Sequence, residues 1–172
     1  MKLQAKLPDG STILLRPPRE QDIPTIFEGA NSSRNELAPW MPWCHQNFCI
    51  DDAESWVKET TAKASDCAFT IWDEHKSAYI GNCGLHQIHN ELRSAKLGYW
   101  VRTSCTGRGI ATAATHAVAR YAFHELELVR LEIEIGLANH GSHRVAEKLN
   151  ATREGVKRNG FIHGDQTLDV VM

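Results

Sequence analysis

Gly107 and Gly109 stand one residue apart, between a stretch that alternates and a stretch that repeats every three to four residues, and the chain's clearest chemical signal lies there. Glycines at such a junction remove Cβ atoms where the backbone turns, so a ligand can come close and the first N–H groups of the following helix stay free. Six residues, Gly107, Arg108, Gly109, Ile110, Ala111 and Thr112, would then face an anion, most often phosphate. A second candidate pair is Asn139 and Ser142, at the opening of a later helical stretch; by residue type alone these are ordinary N-caps. Cys44-His45 with Cys49 lacks the second ligand pair of a zinc site, so no metal is expected. The five cysteines show no C-x-x-C spacing and read as free thiols, and the nine histidines as surface or cleft residues.

These residues need elements to hold them. Ser94 to Val101 alternates as a strand, with Ala95, Leu97, Tyr99 and Val101 on one face and Lys96, Gly98 and Trp100 on the other. From Ile110 to about Glu125 the apolar positions keep the spacing of an amphipathic helix. Val129 to Ile135 then alternates as a strand, so strand, helix and strand form a right-handed parallel crossover. Upstream, Cys67 to Asp73 and Tyr79 to His89 form a hairpin about the turn Glu74 to Ser77, and a second turn, Asn90 to Arg93, makes the three strands an antiparallel meander. Before it come a strand from Ser11 to Arg16, a helix from about Glu20 to Ala30, and a helix from Asp51 to about Ala64 with Asp51 as cap and Glu54 completing the box. Asn31 to Ile50, with Pro39-Trp40-Met41-Pro42-Trp43 at its centre, is expected to be irregular; its aromatics either line a pocket or plug a gap between helices. The turn Ala138 to Ser142 opens a helix from His143 to Leu149, and strands from about Thr152 to Lys157 and Gln166 to Val171 flank a polar loop, Arg158 to Asp165. The fold class is therefore α/β (α+β), one domain over residues 1–172, with a mixed, mostly antiparallel sheet and flanking helices.

A chain of 172 residues with net charge −2 and interspersed charges has no basic run to track a nucleic-acid backbone, and no segment approaches the ~20 apolar residues that span a bilayer. The residues from Met1 to Pro8 lack the apolar core of a signal peptide. A cytoplasmic protein without nucleic-acid or membrane partners is expected, and self-association as a homo-oligomer is left open.

Thr-Gly-Arg-Gly-Ile-Ala-Thr at 106–112 after Ala-Lys-Leu-Gly-Tyr-Trp-Val at 95–101, followed by Asn139-His-Gly-Ser142-x-Arg144-Val-Ala-Glu-Lys-Leu149, resembles the GNAT acetyltransferases. More narrowly, the Pro-Trp-Met-Pro-Trp loop and the tail from Arg153 to Gly160 with Asp169-Val-Val resemble the branch that acetylates ribosomal-protein N-termini. The resemblance implies acetyl-CoA as co-substrate, its pyrophosphate on residues 107–112 and its pantetheine amides against the backbone of Trp100, Val101 and Arg102. It also implies an oxyanion donor at the Val101 N–H, a cofactor-orienting amide at Asn139 and a hydroxyl near the thioester sulfur at Ser142. Three positions depart from the family pattern. Thr106 replaces the usual Gln or Arg, Lys96 replaces a common Glu and so removes a candidate base, and Asn150-Ala151 replaces Gly-Phe beside the cofactor.

Freeing the lone pair of an α-amine of pKa 7.7 to 8.0 at pH 7 costs roughly 1 to 1.4 kcal/mol, against roughly 4.6 kcal/mol for a lysine amine near 10.4. Without Glu at position 96, a protein or peptide N-terminus is the easier acceptor, with Glu132, Glu134, His86, Asp73 and Glu74 as candidate bases through water. Alternatives are acetylation of a small amine such as an aminoglycoside or polyamine, and a non-catalytic acyl-CoA sensor. A dinucleotide-binding unit fits poorly, because the third glycine position is Thr112 and the upstream strands are antiparallel.

Overall fold

The computed structural model describes residues 1–62, 67–75, 77–163 and 166–172. Strands β1 (Leu3–Lys6), β2 (Thr12–Arg16), β3 (Cys67–Asp73), β4 (Ala78–His89), β5 (Ser94–Val101) and β6 (Arg130–Glu132) form one sheet in that order. Every pairing is antiparallel except β5 with β6, which are joined through helix α4 (Ile110–His124). A second sheet has the order β7 (Ile135–Gly136), β9 (Gln166–Val171), β8 (Val156–His163). The parallel crossover thus stands where the two sheets meet.

Alternation divides the sheet's residues between two cores. On one face Leu15, Phe69, Ile71, Leu85 and Leu97 pack with Ile110, Ala114, Val118 and Ala122 of α4, residues four apart and each 0–1% exposed. On the other face Tyr79 and Trp100 pack with Ile26 and Ala30 of α1 (Ile23–Ser32) and Ala53 and Val57 of α3 (Ile50–Ala62). Arg16 ties α1 to the sheet: its guanidinium makes two hydrogen bonds to Asp22, at 2.7 and 2.8 Å, and lies 4.6 Å from the Trp72 ring centroid.

Several elements differ from expectation for local reasons. Residues 129–135 do not form one strand: Arg130 to Glu132 pairs with β5, whereas Ile135 and Gly136 pair with β9, and Val129 is 63% exposed. Alternation shows which face a residue takes but not which neighbour the strand chooses. Arg158 to His163 is strand rather than loop, and residues 152–155 are not; Gly164 and Asp165 lie outside the described residues. β8 is an edge strand, where polar side chains are tolerated, and its register shifts where Asn159 turns its N–H to Asp169 Oδ1 at 2.8 Å. β1, which the sequence pattern left unassigned, extends the sheet at its other edge.

In the stretch expected to be irregular, α1 runs on to Ser32 and a short helix α2 (Arg34–Leu37) follows, because both prolines come later. The guanidinium of Arg34 then fixes the loop by donating to the carbonyls of Gln46 at 2.6 Å and Phe48 at 2.9 Å. Helix α3 starts at Ile50, and the carboxylate that accepts the Cys49 N–H at 2.8 Å is that of Asp52, not Asp51. The expected end of that helix near Ala64 and the turn residue Lys76 lie outside the described residues. Helix α5 (His140–Lys148) begins three residues before His143, capped by Asn139.

Candidate active site

The parting of the two sheets creates the site's main-chain edge. The pairing of β5 with β6 ends at Lys96 opposite Glu132, so among the described residues β5 continues from Leu97 to Val101 with no strand on that side. Arg102 donates its N–H to the Ile80 carbonyl at 2.7 Å, and hydrogen bonding alternates along an antiparallel pair. Gly98, Trp100 and Arg102 therefore bond towards β4, while Leu97, Tyr99 and Val101 present N–H and C=O to the open edge. Of the three residues expected to offer backbone to the co-substrate, Val101 turns its N–H and C=O to the open edge, while Trp100 and the Arg102 N–H turn towards β4. The Arg102 carbonyl accepts from the Cys105 N–H at 2.8 Å and its side chain reaches Glu28 at 2.7 Å, while the Trp100 ring lies in the second core. Tyr99 shares the open edge with Val101.

An ion cluster sits at the point of divergence. Lys96 Nζ lies 3.0 Å and Lys157 Nζ 3.2 Å from Glu134 Oε1, linking β5, the β6–β7 connection and β8. Burial raises the Glu134 carboxyl's pKa, but hydrogen bonds from the two lysines outweigh it and hold the group below its usual value. Lys96 thus occupies the position of the family's common Glu as one member of a clamp.

Beyond Val101 a 3-10 turn, Thr103–Cys105, leads to the glycine junction. Thr106 is spent within it, donating its hydroxyl to the Thr103 carbonyl at 2.8 Å. Gly107 and Gly109 have φ +77° and +78°, the left-handed region, and a Cβ on Gly109 would also meet Pro8 at 3.3 Å. No side chain caps α4, and the Ala113 N–H bonds to the Gly109 carbonyl at 2.9 Å in its first turn. The N–H groups of Ile110, Ala111 and Thr112 consequently point out of the helix end, where its dipole is positive. Arg108 is turned towards Asp9, at 3.6 Å.

Across the open edge stands α5. Asn139 Oδ1 accepts the Ser142 N–H at 3.1 Å, so Asn139 is a helix cap in this structure. The Tyr99 hydroxyl donates to the Ser142 carbonyl at 3.2 Å and spans the gap. Burial pushes the Tyr99 phenol up to about 12, against the opposing effect of that hydrogen bond, and keeps it a neutral donor. The Ser142 hydroxyl has no hydrogen bond to another described residue. The structure therefore sets Ser142 across from Tyr99, on the edge of β5 that Val101 shares and that runs on towards the start of α4.

A cavity of about 570 Å³ opens on the opposite face of β4 and β5, under α1 and α3. Its walls are Met41, Trp43, Phe48, Trp56 and Trp100, and its floor includes Gly84 and Gly98, which face each other across the strands. The Trp43 ring packs 5.6 Å from both Trp100 and Phe48, whereas Trp40 points elsewhere and lies against β7, where a Cβ on Gly136 would be 3.0 Å from its ring. The proline-tryptophan loop is thus wall and plug together. Of the five candidate bases, His86 alone lines the cavity, its ring beside Gly98. Glu132 binds Arg130 at 2.7 Å, Glu134 is in the lysine clamp, Glu74 accepts from Gln4 at 2.6 Å, and Asp73 accepts the His75 N–H at 3.1 Å in the β3–β4 turn. His45, Asp52 and Glu59 also line the cavity; their spacing in sequence carried no signal, because the loop before α3 and two turns of that helix bring them together. Among the described residues no group of three or more His, Cys, Asp or Glu side chains is placed to hold a metal, and no helix is long and apolar enough to cross a membrane.

A sheet parted beside an uncapped helix N-terminus defines a family, and the comparison with known proteins agrees: the acetyltransferase (GNAT) domain matches residues 12–152, and the chain belongs to that family. YjcK of Bacillus subtilis, described as a probable N-acetyltransferase, is 35% identical over 120 residues, 66% of each protein. The matches cover 66%, 50% and 58% of the lengths of three curated relatives and 82% of a fourth, YoaA of Bacillus subtilis. RimJ of Mycobacterium smegmatis, solved with CoA-disulfide, superposes with a TM-score of 0.88 at 24% identity, covering 100% of this chain and 87% of that one. RimL, described as a ribosomal L7/L12 alpha-N-protein acetyltransferase and solved with coenzyme A, gives 0.86 at 18% identity, covering 92% and 90%. At these identities the two structural likenesses are ones of fold.

Proposed function

We propose that the chain is an N-acetyltransferase that moves the acetyl group of acetyl-CoA to a primary amine, and that its acceptor is the N-terminal α-amine of a protein or peptide, ribosomal proteins among them. The observation that carries this reading is the main-chain edge of Tyr99 and Val101 running directly into the free N–H groups of Ile110, Ala111 and Thr112. Such an edge suits a ligand with amide groups along its length and a pyrophosphate at one end. The N–H groups of Ile110 to Thr112 hold the pyrophosphate. Tyr99 and Val101 pair with the amides of the pantetheine arm, and the Val101 N–H stabilises the carbonyl oxygen as charge develops on it. The amine nitrogen attacks that carbonyl carbon, the C–S bond breaks, and the Ser142 hydroxyl gives a proton to the departing sulfur. The proton lost by the amine returns through water to the Ser142 oxygen, which leaves an amide, a thiol and the serine hydroxyl restored.

The acceptor class rests on the scarcity of bases. Four of the five candidate groups are engaged elsewhere, and Lys96 is paired with Glu134. A site so equipped favours the amine that is easiest to deprotonate, the α-amine. RimJ and RimL as structural neighbours are consistent with that choice. Incubation with acetyl-CoA and a panel of peptides, lysine side-chain analogues and small amines, followed by mass spectrometry, tests it. Acetyl groups on peptide N-termini are expected; acetylation of lysine side chains or small amines alone overturns the reading.

A further inference from the structure

We infer that the 570 Å³ cavity is a side-chain pocket for the leading residue of the acceptor, and that it selects a large apolar or aromatic residue over alanine or serine. The inference rests on the function proposed above. Position comes first. The cavity ends at Gly98, Tyr99 and Trp100, the same segment of β5 whose edge is offered to the co-substrate on the other side. An amine delivered through it arrives at the thioester from the face opposite α4.

Size and lining set the class. Cavities of about 300–1,000 Å³ hold drug-sized ligands, and a methyl or hydroxymethyl group would leave this one largely wet. The opposed glycines leave the floor to backbone and to the His86 ring beside Gly98, and the walls are three indoles, a phenyl ring and a thioether. Trp100 and Phe48 are 8% and 7% exposed and fixed by their neighbours, so the pocket is preformed; Trp43, at 37%, stands at the mouth. Asp52 and Glu59, two turns apart on α3, add carboxylates to the lining. The Cys49 N–H bonded to Asp52 holds its carboxyl below the usual value, so it is charged at neutral pH. Apolar walls and carboxylates match a cationic N-terminus followed at once by an apolar side chain.

The test uses peptides identical beyond their first residue, beginning with Phe, Leu, Ala or Ser. Phe- and Leu-first peptides are expected to exceed Ala- and Ser-first ones at least tenfold in kcat/KM, within the roughly 10- to 200-fold reach of apolar pockets. Trp43→Ala should reduce that ratio to within about threefold, mainly through KM, and Trp43→Phe should keep most of it. A ratio of two peptides on one variant does not depend on the fraction folded. Titration of the wild-type chain with each peptide, read by tryptophan fluorescence, should saturate at lower concentration for Phe-first than for Ala-first. Equal or better turnover of Ala- or Ser-first peptides, or equal fluorescence curves, overturns the pocket assignment and leaves N-terminal acetylation standing. Absence of acetylation on every peptide, with small amines consumed, overturns both.

Discussion

The two sides of β5 are built from different materials. On the side proposed for the co-substrate the groups presented are main-chain atoms of Tyr99, Val101 and Ile110 to Thr112, exposed because β6 leaves β5 after Lys96 and because glycines shape the turn. On the side proposed for the acceptor they are side chains from the loop after α2, from α3 and from the middle of β4 and β5. The first side tolerates most side-chain changes and fails when backbone geometry is disturbed. The second can be respecified by single substitutions on an unchanged backbone. One fold can in this way keep its donor and vary its acceptor.

Substitutions can break that contrast. Gly109→Val should be the most damaging: a β-branched residue at φ +78° costs roughly 1–2 kcal/mol and also meets Pro8, so CoA affinity measured by calorimetry should fall by about 10- to 30-fold. Ser142→Ala should lower turnover at least tenfold with CoA affinity nearly unchanged; unchanged turnover would reduce Ser142 to part of a helix cap. Tyr99→Phe removes one hydrogen bond to the Ser142 carbonyl, worth about 0.5–1.5 kcal/mol, so kcat should fall by about 2- to 12-fold with little change in KM for the acceptor. Arg108→Ala should change CoA affinity less than about threefold, since exposed pairs such as the one with Asp9 contribute little and the main-chain N–H groups remain. A large loss there would mean that the co-substrate side also depends on side chains. The same tyrosine gives a pH prediction. Its folded-state value, about 12, lies above the ordinary 10, so its contribution to stability is complete below pH 10 and is lost as pH rises from about 10 to 12. Urea denaturation across that range should show the wild type losing stability with rising pH more steeply than Tyr99→Phe, which lacks the titrating phenol.

The sequence made the main-chain side legible and the side-chain side obscure, for one physical reason. Alternation from Ser94 to Val101, paired glycines and the helix from Ile110 are local patterns, so the strand, the turn and α4 were readable with ends within a residue or two. The parting of β6 from β7 depends on a choice of neighbour, and residues 129–135 read as one strand until β9 claims Ile135. Trp43, Phe48, Trp56 and His86 come from separate segments, and only the Arg34 contacts to the loop and the packing of α3 place the first three over β4. Asn139 shows what residue type alone can give: read as an ordinary N-cap, it caps α5 by accepting the Ser142 N–H on its side-chain oxygen.

Trp40 belongs to neither side alone. Its ring lies on Gly136 of β7, the strand whose departure opens the co-substrate edge, while three residues on Trp43 walls the acceptor cavity. One short loop thus supports both proposed ligand sites, so a ligand that shifts it at one site would be felt at the other. By reciprocity, whatever factor bound CoA changes in acceptor affinity, bound acceptor changes in CoA affinity to the same extent and in the same direction.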